Sequence, residues 1–106
     1  MLKVYNKLVR DKIPEIIESA GKVAQCETLA EGAYLKALDA KLSEELNEYL
    51  VAGDVAELAD LLEVVYAVAV ARGCSRDKLE RMRAEKAERR GAFEKRILLR
   101  QVVENE

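Results

Sequence analysis

The sequence predicts an all-α fold, a helical hairpin bundle that a second copy of the chain completes to four helices. Half of the residues are apolar but only 5% are aromatic, which favours a core of Leu, Val, Ile and Ala between packed helices. Apolar residues also recur at helical spacing through the middle of the chain. A length of 106 residues is that of one domain, covering 1–106.

The first part of the chain predicts a short helix, an extended stretch and a long helix. Pro14 suits the first turn of a helix that Gly21 ends. Residues 22–29 have no helical period and are expected to be extended. A long helix is predicted from about 31 to 50, because its apolar residues recur three and four positions apart: Leu35, Leu38, Leu42, Leu46 and Tyr49.

A tight break follows, and a second long helix is predicted from about 55 to 72. Gly53 suits a helix stop and Asp54 the N-cap of the next helix. Beyond Asp60 this helix is apolar nearly all round, which is more than one small hairpin can bury. A homodimer is therefore expected.

The last part of the chain predicts a third long helix and an extended tail. Ser75 suits the cap of a helix from 76 to about 90, and Gly91 its end. Residues 93–103 are expected to form a minor extended element, a short strand beside residues 22–29.

Composition excludes several function classes and predicts a compartment. There is no histidine, which excludes Ser-His-Asp and Cys-His catalysis and histidine zinc sites. Cys26 and Cys74 are isolated and Met1 is followed by no apolar leader, so a cytoplasmic protein is expected. The near-apolar run 61–71 is too short to cross a bilayer, so no membrane association is expected.

Charge is segregated along the chain. Residues 23–71 carry ten acids and two lysines, a balance of −8, whereas residues 72–100 carry eleven bases and five acids, a balance of +6. An acidic middle with basic flanks suits a site for a cation and an anionic ligand. A solvated helical protein whose charges neutralise one another shows the same pattern.

Four acids flank the break symmetrically. Glu45 and Glu48 share a face of the first long helix, as Glu57 and Asp60 do of the second. In an antiparallel hairpin turning between residues 52 and 53 the two pairs lie level, so four carboxylates converge. Such a cluster is unfavourable without a counter-ion, and hard oxygen ligands suit Mg²⁺, with Mn²⁺ as a substitute. The alternative is a solvated rim neutralised by Lys41 or by arginines of the last helix.

Basic residues at both ends are candidates for phosphate binding. Lys7, Arg10 and Lys12 lie just before the first helix, and Lys86 and Arg90 close the last one. The alternatives are a solvated N-terminus and cations placed by the helix dipole.

The motif Glu44-Glu45-x-x-Glu48 followed by Glu57-x-x-Asp60 resembles the signature of the all-α nucleoside triphosphate pyrophosphohydrolases, the MazG-like and phosphoribosyl-ATP pyrophosphohydrolase-like proteins. The opening Lys7-Leu8-Val9-Arg10-Asp11-Lys12-Ile13-Pro14 and the closing Lys86…Arg90-Gly91-x-Phe93 resemble a small single-domain branch of that superfamily. The resemblance implies Mg²⁺ binding by Glu45, Glu48, Glu57 and Asp60. It also implies catalytic roles for Glu44 and Glu45, with Glu44 behind the ligands or activating water.

The resemblance implies hydrolysis of a nucleoside triphosphate between its α and β phosphates, giving a nucleoside monophosphate and pyrophosphate, with the clearing of non-standard nucleotides as a role. The alternative is a non-catalytic helical dimerisation or interaction module. Nucleic-acid binding ranks last, because the net charge is −2 and the bases of residues 76–90 alternate with acids.

Overall fold

The computed structural model describes residues 1–104, which contain four α-helices and no strand. They are α1 (Ile13–Ser19), α2 (Glu31–Ala52), α3 (Val55–Ala71) and α4 (Arg76–Arg90). The all-α prediction is confirmed, and the bounds of the three long helices lie within two residues of those expected from the sequence.

The turn between α2 and α3 sets the register of the hairpin. Gly53 adopts the left-handed region with φ of 65°, and its N–H donates to the carbonyl of Tyr49. Asp54 begins α3, where its Oδ1 accepts a hydrogen bond from the Ala56 N–H at 3.1 Å. The left-handed stop and the side-chain cap close a two-residue connection. The two helices pack against each other as the predicted hairpin.

The expected short strand between residues 22–29 and 93–103 is wrong for the described chain. Neither segment holds a strand, and no backbone hydrogen bond joins them. Helix–helix contacts within residues 1–104 join α2 to α3 and α3 to α4, but not α4 to α2. The backbone hydrogen bonding of the tail is confined to the turn in which the Arg96 N–H donates to the Phe93 carbonyl, so within the described residues it lacks the neighbouring strand that a ladder requires.

A single chain buries very little apolar surface. Leu38 on α2 is the buried apolar side chain of the described residues, with 2% of its surface exposed. The radius of gyration is 19.1 Å and the longest axis is 68 Å. A compact domain of this length has a radius of gyration of about 13 Å. Large apolar side chains remain exposed on the hairpin and on the tail, among them Val51, Val55, Phe93, Leu98 and Val103. The described chain thus lacks an extensive core of its own.

None of the four helices combines the length and the apolar content needed to span a bilayer, within the part of the chain that the structure describes.

Candidate metal site

The hairpin brings the five acids of the sequence motif into two overlapping groups. One carboxylate oxygen each of Glu45, Glu57 and Asp60 lie within 4.8 Å of one another, and so do oxygens of Glu44, Glu45 and Glu48. Glu45 belongs to both groups and joins them. Glu45, Glu57 and Asp60 thus converge across the hairpin as the symmetry about the turn predicts, whereas Glu48 is grouped with its neighbours on α2. The role of these acids as metal ligands stays a prediction.

Glu45 is the buried member of the cluster. Only 7% of the residue is exposed, and its Oε2 is buried without any hydrogen-bond donor from residues 1–104. Burial and the nearby carboxylate of Glu48 raise the pKa of Glu45, while Lys41 acts in the opposite direction. An unpaired buried carboxylate oxygen is costly. The cluster therefore contains an acceptor that the described protein atoms leave unsatisfied.

Lys41 partly neutralises the cluster from within α2. Its ammonium, on a side chain that is 16% exposed, lies 3.4 Å from Glu45 Oε1 and 3.4 Å from Glu44 Oε2. Lys41 therefore neutralises one oxygen of Glu44 and one of Glu45, as the alternative interpretation of the sequence expected. It leaves the second oxygen of Glu45 buried without a hydrogen-bond partner among residues 1–104.

Residues 5–12 form a segment that we call the N-terminal strap, and it contacts both helices of the hairpin. Lys7 Nζ donates to Glu44 Oε1 at 3.0 Å, and Arg10 Nη2 donates to Asp60 Oδ1 at 2.7 Å. The hydrogen bond and charge of Glu44 raise the pKa of Lys7. Lys7, followed by Lys41, lowers the pKa of Glu44 although partial burial opposes the shift.

The local charges do not cancel. Five carboxylates surround the site, and three cations contact them: Lys7, Arg10 and Lys41. Five negative and three positive charges leave a formal balance of −2. One divalent cation would neutralise that balance.

The other basic candidates lie apart from the carboxylates. Lys12 caps α1 by its backbone, and Lys86 and Arg90 lie on α4. Within the described part of the chain none of them makes an ion pair or hydrogen bond with the five acids. The structure therefore brings Lys7 and Arg10 to the site but not the other three.

An open depression of about 380 Å³ lies at the turn end of the hairpin. Glu48 and Glu57 line it on either side of the turn, together with Asn47, Val51 and Ala52. The sequence reasoning missed Asn47 and Val51, whose only signal is their position one turn from the acids.

Comparisons with known proteins assign no family. No family model matches the sequence, and no solved structure matches it. The chain is 47% identical over 53 residues to an uncharacterized protein of Mycolicibacterium smegmatis (strain ATCC 700084 / mc(2)155), over 50% of this chain and 53% of the relative. The chain thus spans about half the length of that curated relative, which has no described function.

Proposed function

We propose that the protein is a Mg²⁺-dependent nucleoside triphosphate pyrophosphohydrolase. It would cleave between the α and β phosphates and release a nucleoside monophosphate and pyrophosphate, with non-standard nucleotides as the substrate class. The observation that carries the proposal is that Glu45 Oε2, in a cluster with four other carboxylates, is buried without a hydrogen-bond donor from residues 1–104. The type of reaction is inferred from the resemblance of the acidic motif to the signature of the all-α pyrophosphohydrolases.

The residues present fit a divalent cation. Each candidate ligand is a carboxylate, so the donor set is hard oxygen, which Mg²⁺ and Mn²⁺ prefer. The cation would be held by Glu45, Glu48, Glu57 and Asp60. When bound, it would supply Lewis-acid stabilisation of charge on the phosphates.

The basic side chains of the protein have a role separate from metal binding. Lys7 and Arg10 lie at the edge of the carboxylate cluster, more than 40% exposed, and would bind phosphate oxygens. Cations at that place would stabilise the negative charge that develops on a leaving pyrophosphate. Lys12, Lys86 and Arg90 would contribute only after a rearrangement or from a second copy.

Glu44 and Glu45 are suited to different roles. Both oxygens of Glu44 contact lysines, Oε1 with Lys7 and Oε2 with Lys41. Glu44 therefore serves to hold these lysines in place. Glu45 keeps one buried oxygen without a hydrogen-bond donor from residues 1–104, so it is the better candidate for orienting the attacking water as well as for binding the cation.

We further propose that two copies pair to complete a four-helix bundle. The exposed apolar side chains of α3 and the near absence of a core in one chain support this pairing. Sedimentation equilibrium is expected to give twice the mass of one chain. A monomer that melts cooperatively at micromolar concentration would contradict the pairing.

Pyrophosphate release from nucleoside triphosphates tests the enzymatic proposal. Wild type should release pyrophosphate only with Mg²⁺, and Glu48→Gln should lose the activity. Glu63→Gln is the matched control, because Glu63 is an exposed acid of α3 without an ion pair in residues 1–104. Pyrophosphate release that is unchanged both by removal of Mg²⁺ and by the Glu48→Gln substitution would contradict the proposal.

The exposed apolar surface also favours a second candidate, a non-catalytic dimerisation module. Thermal stability separates the two, because a cation that binds the native state raises the melting temperature. An enzyme site of this kind should respond to Mg²⁺ or Mn²⁺, whereas a dimerisation module should not.

A further inference from the structure

The two contacts of the N-terminal strap with the hairpin differ in kind. Lys7 contacts Glu44, whose oxygens are both occupied by lysines. Arg10 contacts Asp60, which belongs to the proposed ligand set. Arg10 therefore occupies an oxygen of a residue that a divalent cation would also use.

Solvent exposure distinguishes Arg10, which can exchange its partner, from Lys41, which is fixed. The side chains of Arg10 and Asp60 are 56% and 43% exposed, whereas those of Lys41 and Glu45 are 16% and 9% exposed. Exposed ion pairs contribute little stability and are replaced readily by other partners. Arg10 can therefore leave Asp60 at small cost, while Lys41 stays with Glu45.

The strap allows this movement without unfolding. The carbonyl of Arg10 accepts a hydrogen bond from the Ile13 N–H at 3.1 Å, which fixes its backbone at the start of α1. Lys7 keeps its own contact with Glu44. Only the long side chain of Arg10 has to turn.

We propose that Arg10 is an exchangeable counter-ion of the candidate metal site. It pairs with Asp60 in the metal-free protein. When Asp60 binds a divalent cation, the guanidinium turns to the phosphates of a polyphosphate ligand, whose oxygens suit its planar fork. This inference rests on the proposed function and specifies how the site passes from its metal-free to its substrate-bound form.

Two binding measurements on Arg10→Gln test the exchange, because they should move in opposite directions. Removing a competing cation should tighten Mn²⁺ binding, measured by calorimetry without phosphate, by about two- to five-fold. The same variant should bind inorganic tripolyphosphate, measured in saturating Mg²⁺, about ten-fold more weakly. A purely structural role would weaken both.

The chain offers a matched control in Arg72, whose guanidinium lies 3.4 Å from Asp39 with both side chains more than half exposed. Arg72→Gln removes an equally exposed pair away from the cluster and should change neither affinity. Arg10→Lys keeps the charge but loses the fork. It should leave Mn²⁺ binding within two-fold of wild type and still weaken tripolyphosphate binding.

The possible negative results distinguish failure of the proposed metal site from failure of the Arg10 exchange. Wild type without saturable Mn²⁺ binding would overturn the proposed function itself. Wild type that binds Mn²⁺ while Arg10→Gln binds it no tighter would overturn the exchange and leave the metal site standing. Unchanged tripolyphosphate binding in Arg10→Gln would equally overturn the exchange. Circular dichroism checks the fold, and if Arg10→Gln proves unfolded, Arg10→Lys decides by whether it weakens tripolyphosphate binding alone.

Discussion

Replacing Glu45 by Gln should stabilise the metal-free protein. The substitution keeps the shape of the side chain but removes its charge from a buried position. Lys7 and Arg10 already offset Glu44 and Asp60, which leaves Glu48 and Glu57 as the uncompensated neighbours. The variant thus relieves a repulsion that no protein cation in the described chain fully offsets.

The magnitude follows from the distances in the cluster. The carboxylate oxygens lie within 4.8 Å of one another, so at an effective dielectric constant of about 20 each like-charge pair costs at least about 3.5 kcal/mol. The ion pair with Lys41 at 3.4 Å returns about 5 kcal/mol on the same basis. The repulsion from Glu48 and Glu57 exceeds this attraction by about 2 kcal/mol, and the exposure of Glu48 reduces the net gain to about 1–2 kcal/mol.

Differential scanning fluorimetry at a fixed protein concentration measures this effect. In EDTA, Glu45→Gln should melt at least about 4–8 °C above wild type. Adding Mg²⁺ should raise the melting temperature of wild type and leave Glu45→Gln unchanged. Glu63→Gln should behave as wild type in both conditions. A Glu45→Gln variant that melts lower than wild type in EDTA would refute the reasoning, because its carboxylate would then be satisfied by the protein.

Three other predictions concern pH, packing and the turn. The raised pKa of Glu45 means that the metal-free native state binds more protons than the unfolded state. Its stability should therefore fall as pH rises from about 4.5 through the native pKa, and urea titrations of Glu45→Gln should lack this loss. Leu38→Ala should cost about 2–4 kcal/mol in the same titrations, since Leu38 is the buried apolar residue of the described chain; an unchanged urea midpoint would contradict this. Gly53→Ala places a Cβ on a residue with φ of 65° and should cost about 1 kcal/mol by thermal denaturation; equal or greater stability would contradict the assigned turn.

The helix bounds could be predicted because they depend on local chemistry. Gly53 ends α2 through its left-handed conformation, and Asp54 and Ser75 cap the helices that follow them. The helix stop and the caps involve residues no more than four positions apart, so they can be predicted from the sequence. The convergence of the acids follows from them, because a two-residue turn fixes which positions of the two helices face each other.

The remaining features depend on contacts between segments far apart in sequence. The contact of Arg10 with Asp60 joins residues fifty positions apart, and no local pattern predicts it. The ion pair of Lys41 with Glu45 is local, four residues apart on α2, and only its burial depends on elements that pack against α2, such as α3. The expected strand in the tail was wrong because an extended pattern forms a ladder only beside a partner strand, and no backbone hydrogen bond joins residues 93–103 to residues 22–29.

Mn²⁺ titration followed by electron paramagnetic resonance tests the central claim most directly. Free Mn²⁺ gives the signal and bound Mn²⁺ loses it, so the method needs neither a substrate nor activity. The account predicts saturable binding by wild type and by Glu63→Gln, and loss of that binding in Glu45→Gln. Wild-type protein that leaves the Mn²⁺ signal undiminished at millimolar concentration, or Glu45→Gln that binds as wild type does, would contradict it.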